Sequence, residues 1–298
     1  MFSPESGAIA ADDGAPVAFL AFDHRERNFS SVRPSGMTRE EIRRSKELIL
    51  DAFEVAAERG VDGVRAGVII DEEFGGELAQ RAGDDGITVV MPVEQADQAV
   101  FDFEFGDEFR EHLREFQPAC AKALVRYRTT DDPGAKQLQR ARLRELSRFL
   151  AGESIAFMLE LIVGQRPVDP GEIPTVDVDE LCAAMAELQD ADIHVDLWKV
   201  EGTSSLDDAE RIVAQARRID PRARCVVLGA GAPADVVGQW LDVAAATPGF
   251  TGFAIGRSIW GESVAAWLDG SIMREQAIEE IASIFRGWAL RYVGEQNR

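Results

Sequence analysis

His194-Val195-Asp196-Leu197-Trp198-Lys199-Val200-Glu201-Gly202 is the stretch on which the reading of this chain turns. Strand side chains alternate, so Val195, Leu197, Lys199 and Glu201 fall on one face and Asp196, Trp198 and Val200 on the other. An ammonium is thereby set among apolar neighbours in the carboxyl-terminal half of a strand. Removing a lysine from water disfavours its charged form, lowers its pKa and turns it into an amine nucleophile able to form a Schiff base with a ketone. From position alone, the competing reading is a lysine that snorkels to solvent from a strand end.

Short apolar runs recur on either side of this stretch. Residues 17–23, 64–70, 87–93, 119–127, 155–163, 225–228 and 252–257 read as further strands. Amphipathic segments separate them, at about 38–59, 71–81, 107–116, 134–150, 178–189 and 204–218, then from Pro233, and finally to about Val293. Thr38-Arg39-Glu40-Glu41 marks one helix start and Gly60 the stop of the same helix. Eight strand–helix units joined by short links predict a single (β/α)8 TIM barrel over 17–298, behind a mobile leader at 1–16. A doubly wound open sheet is the alternative; the regularity of the eight units favours closure.

In such a barrel the carboxyl ends of the strands build the site. Strand one delivers Asp23, His24 and Arg25 there, strand two Asp71 and strand three Glu94. Strand four brings Lys122 and Arg126, strand five Glu160, strand six Lys199 and Glu201, and strand eight Arg257. A second cation at Lys122 is expected to depress the pKa of Lys199 further, and Glu160 on the adjacent strand is placed to shuttle protons. Lys122 and Glu160 read equally well as a mutual buried ion pair, and Asp71 and Glu201 as caps or loop-ordering groups. Gly229-Ala230-Gly231 before a helix start, with Gly256-Arg257 after strand eight, suits a phosphate: small residues let backbone N–H groups approach, and the guanidinium adds donors.

Composition narrows the function class. A net charge of −21 argues against nucleic acid as a partner. No apolar run has membrane-spanning length and no secretory signal is visible, so the cytosol is the expected location. The three cysteines suit reduced thiols, two of them in strands. Only Lys46, Lys122, Lys136 and Lys199 are lysines; every other basic residue is arginine. Of the three histidines only His24 falls near the strand ends, which argues against a zinc site, although carboxylates suit magnesium. No cofactor is called for, and a homo-oligomer is compatible with the sequence.

Ala21-Phe22-Asp23-His24-Arg25, Ala121-Lys122-Ala123-Leu124-Val125-Arg126-Tyr127, Asp196-Leu197-Trp198-Lys199-Val200-Glu201, Val227-Leu228-Gly229-Ala230-Gly231-Ala232-Pro233 and Gly252-Phe253-Ala254-Ile255-Gly256-Arg257-Ser258-Ile259-Trp260 form an ordered set. Together they resemble the aldolase domain for 2-deoxy-5-keto-gluconate 6-phosphate. That domain is often fused behind the 5-dehydro-2-deoxygluconokinase of inositol breakdown and is related to tagatose 1,6-bisphosphate aldolase. The resemblance spans nearly the whole chain after Pro16. It implies a class I lyase in which Lys199 is the Schiff-base lysine, Glu160 the proton shuttle, and Lys122 and Asp23 their partners. Arg257, Gly256 and the turn Gly229-Ala230-Gly231 would hold the phosphate of a sugar-phosphate substrate, and His24, Arg25 and Glu201 complete the substrate-binding set. No kinase domain accompanies it in this chain. His24 stands where tagatose-bisphosphate aldolases have a glutamine, and the glycine turn replaces a serine-bearing one. Those departures leave open which sugar phosphate is used, a tagatose-bisphosphate or sulfofructose-phosphate type included; the rival readings are a carboxylate-held magnesium lyase or isomerase and a sensor that binds a sugar phosphate without turnover.

Overall fold

Every apolar run named above becomes a parallel strand. In the computed structural model, which describes residues 15–29, 32–33, 36–164 and 176–296, these are β1 (Val17–Ala21), β2 (Arg65–Ile69), β3 (Thr88–Pro92), β4 (Cys120–Arg126), β5 (Ala156–Ile162), β6 (Leu197–Glu201), β7 (Arg224–Leu228) and β8 (Phe250–Ile255). The strands pair in sequence order, and β8 pairs in parallel with β1, Val17 opposite Gly252 and Leu20 opposite Ile255, so the sheet closes. The protein is a single (β/α)8 TIM barrel.

The helices are α1 (Glu26–Phe29), α2 (Arg39–Glu58), α3 (Glu72–Asp84), α4 (Phe109–Phe116), α5 (Pro133–Glu153), α6 (Val178–Asp190), α7 (Leu206–Ala216), α8 (Ala234–Ala246), α9 (Arg257–Leu268) and α10 (Arg274–Gln296). The anticipated start of α2 is a capping box: Thr38 Oγ1 accepts from Glu41 N–H, and Glu41 Oε2 accepts from Thr38 N–H at 2.8 Å. Side chains also cap α3 (Asp71), α5 (Asp132), α6 (Asp177) and α7 (Ser205).

Alternation splits the core in two. Val17, Phe19, Ala21, Ile69, Val90, Cys120, Ala156, Met158, Leu197, Val226 and Ala254 fill the barrel interior. Their sequence neighbours, among them Leu20, Val68, Met91, Ala121, Phe157, Trp198, Val227 and Phe253, face the helices. Met158 and Leu197 lie one inward position below Glu160 and Lys199, so the apolar interior forms the floor beneath the charged residues.

The structure differs from the sequence reading at both ends of the last unit. β8 begins at Phe250 and stops at Ile255, so Arg257 is the first residue of α9 and not the last of a strand. The tail expected to be one helix is two, α9 and α10, divided at 269–273, where Gly270 takes a φ of +81°. The expected leader lies outside the described residues up to residue 14, and Pro16 already accepts from Arg65 N–H at 2.8 Å. Residues 164–174, with Pro167, Pro170 and Pro174, read from the sequence as a loop; from residue 165 on they lie outside the described residues.

The β8–β1 seam depends on one glycine. A register shift between Cys225 and Val226 leaves Thr251 of β8 unpaired with β7, and the next residue, Gly252, sits at φ +144°. A Cβ there would lie 1.7 Å from Val17 O. Gly252→Ala is therefore expected to destabilise the fold by about 3 kcal/mol or more, read by chemical denaturation, because backbone on both strands must move. A variant of wild-type stability would show that the seam is not built in this way.

Candidate active site

Lys122, Glu160 and Lys199 point inward from three consecutive strands because each has inward parity on its own strand, and Glu160 is in register with Lys199. One oxygen, Glu160 Oε2, accepts from Lys122 Nζ at 3.1 Å and from Lys199 Nζ at 2.9 Å. Lys122 Nζ also meets Asp23 Oδ2 at 2.6 Å and Glu94 Oε1 at 2.7 Å. Lys122, Glu160 and Lys199 are all buried. The two ammoniums do not face one another directly: a carboxylate stands between them.

The charges set one another's state. Burial alone would raise the Asp23 carboxyl, but Lys122 and then Lys199 outweigh it and hold the group well below the usual carboxylate range. Glu160 is likewise lowered against its burial, by Lys199 and Lys122. Burial works against the Lys122 ammonium, yet Asp23, Glu94 and Glu160 hold its pKa well above the ordinary lysine value. Lys122 is thus held as a cation, and Asp23 and Glu160 rest as anions.

The other groups expected at this face are distributed around it. His24 follows β1 with its ring edge-on to Trp260, centroids 5.3 Å apart. Burial, helped by the charges of Arg257, Lys46 and Lys199 and opposed by Asp23, brings its pKa down to about 3, so the imidazole is neutral at pH 7. Gly256 packs where a Cβ would lie 2.3 Å from Ala21 O and 2.7 Å from His24 Cε1, which brings the β8 exit against the β1 exit. Ala230 and Gly231 are both left-handed, at φ +51° and +76°, and turn the chain back after β7. The Arg257 guanidinium crosses this turn, with Nη2 3.6 Å from where a Gly231 Cβ would be. The helices that start here, α8 at Pro233 and α9 at Gly256, have no side-chain cap, a feature shared with α4. Their first N–H groups have no partners within the helix and point towards this corner.

Arg25 and Glu201 are engaged with groups of the protein itself. Arg25 is buried and donates to Glu94 O at 2.8 Å and to Glu104 Oε2 at 2.5 Å, so its guanidinium braces the β3 exit instead of standing open to a substrate. Glu201 accepts from the Gly164 N–H, and its Oε2 is buried without a hydrogen-bond partner among the described residues. Its pKa is raised, by burial first, with Arg126 opposing and Glu160 adding to the rise. Glu94, which strand-end position had indicated but which was not in the expected catalytic set, is a full member of the Lys122 cage. Asp71 is the cap of α3, its Oδ2 accepting from Phe74 N–H at 2.9 Å.

Among the described residues no three His, Cys, Asp or Glu side chains are grouped to hold a metal ion; Asp23, Glu94 and Glu160 converge on the Lys122 ammonium. His112 pairs with Glu72 at 2.7 Å and stacks on Phe105, and exposed His194 pairs with Asp192 at 3.3 Å, both away from the cage. Cys120 and Cys225 are free and buried in β4 and β7, and free Cys182 is partly exposed. No helix among the described residues is long and apolar enough to cross a membrane.

Fold and charge cage together define a (β/α)8 domain with a buried lysine pair on β4 and β6, joined through Glu160 of β5. The chain belongs to the family described as "Uncharacterized protein conserved in bacteria (DUF2090)", whose model matches residues 9–291. No curated protein matches the chain.

Proposed function

We propose that the protein is a class I aldolase that cleaves a ketose phosphate, with 2-deoxy-5-keto-gluconate 6-phosphate as the leading substrate. The observation that carries this reading is the single oxygen of Glu160 shared by Lys122 and Lys199 above an apolar floor. An amine and a permanent cation are each within hydrogen-bond reach of one proton acceptor at the face where barrel chemistry takes place.

In this reading Lys199 passes a proton to Glu160 as its nitrogen adds to the ketone carbon. Glu160 returns that proton to the carbinolamine hydroxyl, which leaves as water and yields the protonated imine. The carbon–carbon bond then breaks: its electron pair moves into the iminium, a carboxylate of the cage takes the hydroxyl proton of the departing carbon, and malonate semialdehyde leaves. Protonation of the enamine carbon and addition of water release dihydroxyacetone phosphate and restore Lys199. Lys122, caged by Asp23, Glu94 and Glu160, keeps Glu160 ionised for the first step, and Asp23 aligns the hydroxyls. Arg257, Gly256 and the turn Gly229-Ala230-Gly231 hold the phosphate, neutral His24 lines the path between, and Glu201 faces the other end of the sugar. Arg25 serves as a brace. The chemistry draws on no cofactor.

The test is borohydride reduction during incubation with a panel of ketose phosphates, followed by peptide mass mapping. One substrate is expected to leave a reduced adduct on Lys199. Turnover without an adduct, lost on chelation and restored by a divalent metal, would refute the Schiff-base mechanism.

A further inference from the structure

Behind the cage lies a second set of buried charges that the proposed chemistry does not use. Lys46, in the middle of α2, is fully buried, on the helix face that also buries Ile42, Leu50 and Phe53. Its ammonium donates to Phe22 O, to His24 O at 2.9 Å and to Asp71 Oδ1. Phe22 and His24 are the residues on either side of Asp23. Asp71 is also buried; its other oxygen caps α3 and lies 3.9 Å from Arg25 Nε. Arg25 in turn holds the carbonyl of Glu94, whose side chain reaches Lys122.

A charged side chain is costly to bury at the interface of a helix and a barrel wall, and an apolar residue would fill the same volume without that cost. What the ammonium supplies that an apolar side chain does not is two directed bonds to the carbonyls of Phe22 and His24, which flank Asp23 in the exit of β1. The bond to Phe22 O fixes the peptide plane that precedes Asp23 and the bond to His24 O fixes the plane beyond His24, so the short backbone segment that carries the Asp23 side chain is tied at both ends. Without them, β1 ends at Ala21 and the exit loop carries Asp23 on irregular backbone.

We infer that Lys46, with Asp71 as its counter-charge, is a positioning residue for the reaction: it acts through the backbone of Phe22 and His24 to aim Asp23 at Lys122. Lys46 touches neither the cage side chains nor the space above them. The inference rests on the aldolase reading for its kinetic consequence and on geometry alone for its structural one.

The experiment uses Lys46→Met and the shorter, polar Lys46→Gln, the second being there in case the first does not fold. Two readouts are taken on each folded variant. In a crystal structure, Asp23 Oδ2 is expected to leave Lys122 Nζ for a distance beyond about 4 Å, with β2 to β8 unchanged. In steady-state kinetics, kcat is expected to fall ~10²-fold, the scale of a misplaced catalytic group, with KM within about two-fold and the Lys199 adduct still trapped. Asp23 remaining within hydrogen-bond distance of Lys122 in both variants would overturn the inference, as would a loss confined to KM. If the wild-type chain traps no adduct, the aldolase reading fails by itself, and the position of Asp23 in the variant still decides the role of Lys46.

Discussion

Lys199→Ala is expected to lose covalent capture of the substrate altogether and to reduce lyase turnover by ~10⁴-fold or more, the scale of removing a nucleophile from a site that acts as a unit. The site offers no replacement amine. Lys122 is the nearest lysine, and three carboxylates hold it in the charged form, which is not nucleophilic. Phosphate binding is assigned to Arg257 and the turn after β7, and not to the Lys199 amine, so the variant should still bind an unreactive sugar phosphate with near wild-type affinity. The variant should also fold, because Glu160 keeps Lys122 as its partner at 3.1 Å. Substantial turnover by Lys199→Ala would remove the Schiff base from the mechanism, whatever its binding affinity.

Lys122→Met is expected to be the most destabilising single change in the site, by about 3–5 kcal/mol at neutral pH, the usual cost of taking one partner from a buried ionic cluster. Asp23 and Glu160 would then be left with Lys199, and Asp23 and Glu94 with Arg25, as their nearby cations. The pH dependence carries the sharper signature. In the wild-type chain the lowered pKa values of Asp23 and Glu160 contribute stability that is present above about pH 4 and is lost as acid protonates them. In the variant the same carboxyls face burial and one another with less compensation, so their folded-state pKa values rise above the unfolded ones. The folded state then binds more protons than the unfolded state, and acidification from about pH 7 to 5 stabilises the variant relative to wild type. Thermal unfolding of both proteins across that range should show the gap narrowing towards pH 5; a gap that widens would contradict the cage.

The architecture was legible because each strand carries its own signal. Eight short apolar runs separated by amphipathic segments leave little choice but closure, and where a run carries a charged residue, as Lys199 among Leu197, Trp198 and Val200, the alternation also states its face. The cage was legible in part for the same reason: parity along β4, β5 and β6 already places Lys122, Glu160 and Lys199 on one side. Two things were not. Arg25 follows the strand-one signal closely enough to look like a substrate ligand, but past the strand end parity no longer applies, and the loop turns its guanidinium to Glu104 and Glu94 O. Lys46 lies on a helix, where the sequence shows a single charged residue at a spacing that belongs to the buried face. Its partners are backbone carbonyls, which have no identity in a sequence. The start of α9 was displaced for a related reason, since Gly256 ends the ladder although the apolar pattern around it continues.

All four lysines of the chain are buried, with relative exposures of 0% for Lys46, 2% for Lys122, 9% for Lys136 and 4% for Lys199. The outer shell therefore presents its positive charge as guanidinium. An acylating reagent such as an activated ester finds no accessible side-chain amine on the native shell; it reaches Lys46, Lys122 and Lys136 only when the barrel opens, and Lys199 by way of the mouth. The progress of acylation at the first three thus becomes a clock for opening, and a ligand that slows it at Lys199 while leaving Lys136 unchanged has been seated at the mouth.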